Sequence, residues 1–386
     1  IENLNKGFHL SDQIQIGHIL TKIFKRRKGE SNMKKFLASI LVMAMAATAL
    51  TGCGGSEPAA EESGEGYKVA YIARAQSDSF AAWLANEMIR AAGEYEDITL
   101  DVFDGQADDA KENAAIENAI ANGYDAIIVQ PNNGEAQRPY VEQIVAAGIV
   151  AITTNSRISG IEGASSVDAD PYVQAQVNAE KAIEQVPEGA KVVVLRGPSG
   201  NFHADERLKA WNEVFFAARP DVQIVGDDYA NWNKDEAMTL MEDWTLAHGK
   251  IDAVISMNDN MAAGAIEAIR GDANYVKADG TTTFLAYAVD GTAQGCLLIK
   301  EGLLTCTALQ SAADLAVKNM EYAEKVLNGE MAVTEVADDY APLTEEMANE
   351  RDAQQSDRLY SLDDADAPTE NFYEGTENAE DISGFV

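Results

Sequence analysis

Apolar residues follow two alternating rhythms along most of this chain. Short unbroken runs at Val69–Ala73, Ile98–Phe103, Ala126–Val129, Val150–Thr154, Val192–Leu195, Val222–Val225, Ala253–Met257 and Phe284–Val289 read as strands buried on both faces. Between them, Ser79–Glu94, Ala110–Asn122, Ala136–Ala147, Val173–Gln185, Asp205–Ala218 and Asp235–His248 carry apolar residues at helical spacing. The stretch Ala253–Arg270 shows the unit whole. A strand ends at Met257, Ala262, Ile266 and Ile269 mark the helix that follows, and Asn258, Asp259 and Asn260 fill the junction. Such alternation predicts an α/β protein with parallel sheets and right-handed crossovers. The units are too many for one compact sheet, so two lobes are expected.

Ligands of open α/β sheets bind where strand tips and helix N-termini converge. Here the tips hold Gln76 to Phe80, Asn155 to Arg157, Gly197 to Arg207, Asn231 to Asn233, Asn258, Asp290 with Gly291, and Gln310. Either Asp259 or Asn260 serves as a plain helix cap, which leaves Asn258 free for another role. The inventory of Asp, Asn, Gln, Arg and aromatic residues suits neutral polyols. A hydroxyl donates and accepts, carboxylates and amides take paired hydroxyls, and aromatic faces cover the C–H face of a sugar ring. The Gly197-x-x-Gly200 pattern lacks the third glycine of a dinucleotide cradle. No Cys/His cluster has metal-ligand spacing, and no serine has a base in recognisable order, so neither a metal, a cofactor nor an enzyme is expected. Trp83, Trp211 and Trp244 lie on apolar helix faces and read as core.

The formal net charge of −35 across 386 residues argues against nucleic-acid binding and suits a self-repelling monomer. Residues 1–52 carry a net positive charge, with eight Lys/Arg against three Asp/Glu. Lys34 and Lys35 precede the apolar run Phe36–Leu50, which is too short to span a membrane comfortably and fits a signal peptide. Residues 1–32 read as a non-native extension upstream of a start at Met33, and residues 33–52 as the signal. Leu50-Thr51-Gly52-Cys53 resembles the bacterial lipobox, which implies a lipid on Cys53 and a flexible linker through residue 67. Removing residues 1–52 leaves a formal charge of about −40. After Leu343 periodicity is lost, and residues 344–386 form an acidic arm that could wrap a lobe through Leu359, Tyr360 and Phe372. Cys296 and Cys306, on either side of a helix-to-strand connection, could pair or stay free.

From about Lys68 to about Asp338 the chain resembles the periplasmic galactose/glucose- and ribose-binding proteins, the type I solute-binding family of ABC sugar importers. The resemblance rests on Ser77–Phe80, Ile152–Ser156, Glu206-Arg207, Ala230–Asn233, Met257–Gly264, Val289–Thr292 and Thr307–Gln310, in that order. It implies two Rossmann-like lobes joined by a hinge: residues 68–167 with 311–332, and residues 168–310 with 333–343. It also implies that Asp78 and Asn155 hold ring hydroxyls from the first lobe and that Phe80 and Trp232 sandwich the ring. Arg207, Asn258 and Asp290 would bind from the second lobe, with Gln310 at the hinge. His203 and Asp205 are carried along with Arg207, although their spacing is tighter than in the glucose/galactose type. Asn155-Ser156 stands where ribose-type members carry Asp-Arg, which tilts the expectation toward a glucose- or galactose-like monosaccharide. The calcium-loop pattern is missing from Glu184–Lys191, so no calcium site is expected. The implied partners are a monosaccharide or polyol, an ABC permease and, through the lipid, the outer face of the cell membrane. A sensor subunit reporting to a chemoreceptor or histidine kinase would use the same lobes and is the alternative.

Overall fold

A strand buried on both faces must present an apolar side chain at every position, and the first strand shows why this chain forms one. In β1 (Tyr67–Ala73), Val69, Tyr71 and Ala73 pack into one buried cluster while Ala70 and Ile72 pack into another on the opposite face. The computed structural model describes residues 66–333 and 359–361. Five parallel strands make the first sheet in the order β2-β1-β3-β4-β5, with β2 at Ile98–Asp104, β3 at Ala126–Val129, β4 at Val150–Thr154 and β5 at Ala164–Val167. Helix α1 (Ser79–Ala92) covers one face, and α2 (Asp109–Ala121) and α3 (Gly134–Ala146) cover the other.

The second sheet runs β11-β10-β9-β8-β6-β7, with β6 at Lys191–Arg196, β7 at Gln223–Tyr229, β8 at Ala253–Ser256, β9 at Leu285–Asp290, β10 at Cys306–Leu309 and β11 at Leu359–Ser361. Its helices are α4 (Pro171–Gln185), α5 (Phe202–Ala210), α6 (Lys234–His248), α7 (Asp259–Ile269) and α8 (Ala293–Lys300). The helix expected to run unbroken from Asp205 instead passes into a π-helical turn at Trp211–Phe216, which turns Trp211 and Phe215 fully into the core. Trp83 and Trp244 only pack against the core and stay partly buried. The two-lobed, parallel-sheet α/β architecture is the one expected from the alternation of elements.

Several elements were not spelled out by the apolar rhythm. Strand β5 reads Ala-Ser-Ser-Val; Ser165 and Ser166 are buried because they bond Tyr322 and Thr153. Helix α9 (Ala312–Leu327) leaves the end of β10 and packs against α1 within the first core. Val333, placed by expectation in the second lobe, accepts hydrogen bonds through its carbonyl from Ser165 and Tyr322 of the first. β11 (Leu359–Ser361), within the acidic arm, pairs antiparallel with β10 and extends the second sheet. Cys296 and Cys306 are both buried free thiols, so the disulfide option is not realised. Residues 1–65, with the signal, lipobox and linker expectations, and most of the arm lie outside the described residues.

Candidate functional site

In both sheets the strand order reverses beside the first strand of the lobe, at β1 and at β6, and loops diverge there to leave a crevice. The polar residues at these tips have local duties first. Asp78 caps α1 by accepting from the Ala81 amide at 2.8 Å, and Asn258 caps α7 by accepting from Met261 at 2.9 Å. Asn233, exposed, caps α6. Neither Asp259 nor Asn260 is a cap. Asp259 is wholly buried in other bonds, and Asn260 donates to the Trp232 carbonyl at 2.7 Å.

The tips surround a small cavity between the lobes, with about 20 Å³ of free space. Asp78, Phe80, Asn155 and Gln310 line it together with His203, Arg207, Trp232, Asn258 and Asp290, so the structure brings together every expected site residue but one. Asp205 is the exception. His203 and Arg207 lie four residues apart on α5 and share the inward face, which turns Asp205 outward to solvent. Two lining residues escaped the sequence reading. Arg74 directly follows the apolar run of β1, and a charge at that tip was the available signal; Asn201 sits in the glycine loop read only for phosphate. A wider polar space of about 320 Å³ adjoins the cavity, sharing Arg74, Asp78 and Trp232.

Arg207 anchors the second-lobe wall. It is buried and donates from Nη1 to the Met257 carbonyl at 2.6 Å and from Nη2 to Gln174 and Gln310 at 2.8 and 2.9 Å. Its Nη2 stands 3.6 Å from Asp290 Oδ1. Arg207 Nε and Asp290 Oδ2 are buried without a hydrogen-bond partner. Burial pushes the Asp290 carboxyl well above the usual range, against the opposing pull of Arg207. His203 bonds Asp168 through Nε2 at 2.7 Å, and its Nδ1 faces Arg207 Nη2 at 3.5 Å. Burial lowers the imidazole pKa, with Asp168 opposing, so the neutral ring donating from Nε2 fits both neighbours. On the first-lobe wall Arg74 pairs with Asp78 at 3.0 Å, and Gln130 Nε2 donates to Asn155 Oδ1 at 2.8 Å.

Trp232 is held by strain and by an absence. Asn231 and Trp232 both adopt left-handed backbone, with φ of 53° and 60°. The indole fills the space a side chain at Gly197 would occupy, which is the role the structure gives that glycine. Guanidinium groups from opposite lobes approach the ring, Arg74 at 5.8 Å and Arg207 at 5.7 Å from its centroid. Further contacts tie the lobes together. Asn258 Nδ2 donates to Asp78 Oδ2 at 3.1 Å, Asn201 Nδ2 donates to the carbonyls of Pro131 and Asn132, and Arg157 stacks over Phe202 at 4.4 Å. The cleft is thus closed over a small chamber whose lining charges are paired, Arg74 with Asp78 and Arg207 with Asp290.

A family model described as a periplasmic binding protein domain matches residues 69–331. A xylitol-binding protein of Mycolicibacterium smegmatis is 28% identical over 57% of this chain and 61% of its own length. A ribose import binding protein of Salmonella typhimurium is 26% identical over 59% of this chain and 74% of its own. Among solved structures, a galactofuranose binding protein superposes with a TM-score of 0.69 at 20% identity, covering 80% of this chain and all of that one. The match thus spans about three-fifths of the first relative's length.

Proposed function

The chain belongs to the periplasmic binding protein domain family, and from that premise we propose that it captures one small neutral sugar or polyol outside the cytoplasm and delivers it to an ABC importer. One observation carries the ligand class: Asp290 Oδ2 and Arg207 Nε are buried, unpartnered and on the wall of the same cavity. A hydroxyl is suited to such atoms, since it can donate to a carboxylate and accept from a guanidinium. An anion is disfavoured because Arg74 and Arg207 already face Asp78 and Asp290. Phe80 and Trp232 supply apolar faces for the solute's C–H groups. The relatives are named for xylitol and ribose, which do not single out glucose or galactose. The proposed class is therefore a five- or six-carbon sugar or polyol, without preference for a glucose- or galactose-like ring.

Calorimetry and thermal-shift measurements on the full chain with xylitol, D-ribose, D-glucose, D-galactose and myo-inositol test this. A ligand at a hundred times its Kd should add about 2.7 kcal/mol of stability. No response to any of them at millimolar concentration overturns the ligand class. Anchoring through Cys53 remains part of the proposal and rests on the lipobox alone. Fatty-acid labelling that disappears in Cys53→Ala is its expected result, and labelling that persists rules it out.

A further inference from the structure

The site residues Asn258, Asp290 and Gln310 come from three separate strand tips, and one buried side chain connects all three. Asp259 directly follows Asn258 and is fully buried, yet it caps no helix and does not line the cavity. Its Oδ2 accepts from the Thr292 amide at 2.7 Å and from the Thr292 hydroxyl at 2.8 Å. Its Oδ1 accepts from the Thr307 hydroxyl at 2.6 Å, and that hydroxyl in turn accepts from the Gly291 amide at 3.2 Å. Gly291 and Thr292 form the turn directly after Asp290, whose φ of 125° is a strained backbone for a residue with a side chain. Thr307 lies on β10, which ends at the Gln310 tip, and the Gln310 amide donates to the Asp290 carbonyl at 3.0 Å. Gly295 on α8 leaves room for the Asp259 carboxylate, which a side chain there would overlap.

We infer that Asp259 is a positioning residue that holds the strained Asp290 turn in register with Asn258 and Gln310, and thereby sets affinity without touching the ligand. The inference rests on the sugar-binding reading for its consequence, though not for its geometry. A carboxylate that accepts three hydrogen bonds is suited to the task only while ionised. Burial raises the Asp259 pKa to about 6, with the Thr307 and Thr292 bonds opposing. The other titratable groups facing it are Arg207 from α5, Cys296 from α8, Cys306 from β10 and Asp290 from β9. Both thiols are pushed upward by burial and remain neutral. Since the folded pKa lies above the ordinary value, Asp259 takes up a proton between pH 7.5 and pH 5, and the three-bond arrangement weakens there.

The experiment uses the full chain with xylitol and D-ribose as probes, comparing wild type with Asp259→Asn, Thr307→Val and Thr307→Ser. Amide hydrogen exchange without ligand reads the geometry: Gly291 and Thr292 should exchange faster in Asp259→Asn and Thr307→Val, and as in wild type in Thr307→Ser. Calorimetry reads the consequence. At pH 7.5 Asp259→Asn should bind about tenfold more weakly, and the gap should shrink at pH 5, where wild type itself carries the extra proton. Asp259→Asn also removes a charge that raises the Asp290 pKa, so the same ratio is taken for Thr307→Val, which keeps that charge. Should Asp259→Asn fail to fold, Thr307→Val against Thr307→Ser carries the same comparison. Unchanged exchange at Gly291 and Thr292 overturns the geometry, and wild-type affinity in a variant with a loosened turn overturns the positioning role. If wild type binds neither probe, those ligands and the claim about affinity fall, while exchange still decides whether Asp259 holds the turn.

Discussion

Trp232 and Asp290 face the same cavity and are expected to fail in different ways. Trp232→Ala removes an apolar face that any sugar ring or polyol backbone can use, costing about 2–3 kcal/mol of burial and ring contact. The loss should be similar for every ligand bound. Asp290→Ala removes a buried acceptor aimed at particular hydroxyls, worth about 1.5–3 kcal/mol, so epimers should lose affinity unequally and selectivity should flatten. Calorimetry on a set of epimers, with folding checked by circular dichroism, decides between these patterns. Losses of equal pattern in the two variants would show that Asp290 does not read hydroxyls. At this scale the sequence was informative because strand tips announce themselves: a polar residue directly after an apolar run has few other reasons to be there. It misled where a helix winds. Asp205 stands between His203 and Arg207 in the chain, but α5 carries it to the outer face. It was mute on partners. That Asp78 accepts from the Ala81 amide and from Asn258 while pairing with Arg74 follows only from the fold.

Among elements, the loop after β6 shows how a local motif takes its meaning from a neighbour. Gly197 and Gly200 carried a weak hint of a phosphate cradle, whereas Gly197 serves as the slot for the Trp232 indole delivered by the β7–α6 connection. Gly197→Ala should therefore displace Trp232, with an overpacking cost of roughly 1–3 kcal/mol. A loss of ligand affinity should accompany it. In the Trp232→Ala background the added cost of Gly197→Ala should largely vanish, because the methyl group then meets an empty slot. Urea titrations of the four proteins measure this coupling. Costs that simply add would mean that Gly197 is needed for something other than the indole. Longer elements were legible because their apolar periods are strong. Strand β5 was not, since its two serines are buried through hydrogen bonds that no pattern of apolar residues announces.

For the whole molecule, the contacts between lobes separate closure from ligand recognition. Among the described residues, 168–170 and 310–311 are segments by which the chain passes from one sheet to the other. The return of α9 to the first lobe and the pairing of β11 with β10 make the topology more interleaved than a chain read in order suggests. β11, three residues long inside an acidic arm, has no periodicity to announce a strand, and only its apolar Leu359 and Tyr360 hinted at a contact with a lobe. Arg157 and Phe202 meet across the cleft at 4.4 Å but line neither the cavity nor the space beside it. Phe202→Leu keeps apolar bulk next to His203 while removing the ring face that Arg157 covers. At a partly exposed site this contact is worth about 0.5–1 kcal/mol. If it stabilises only the closed form, affinity should fall roughly two- to fivefold for all ligands alike, through faster release rather than slower capture. Small-angle scattering should show the wild type contracting on ligand addition, and the variant reaching the same final dimensions at higher ligand concentration. A change in ligand preference, or a wild-type profile that ligand leaves untouched, would show that closure and recognition are not divided between these residues in this way.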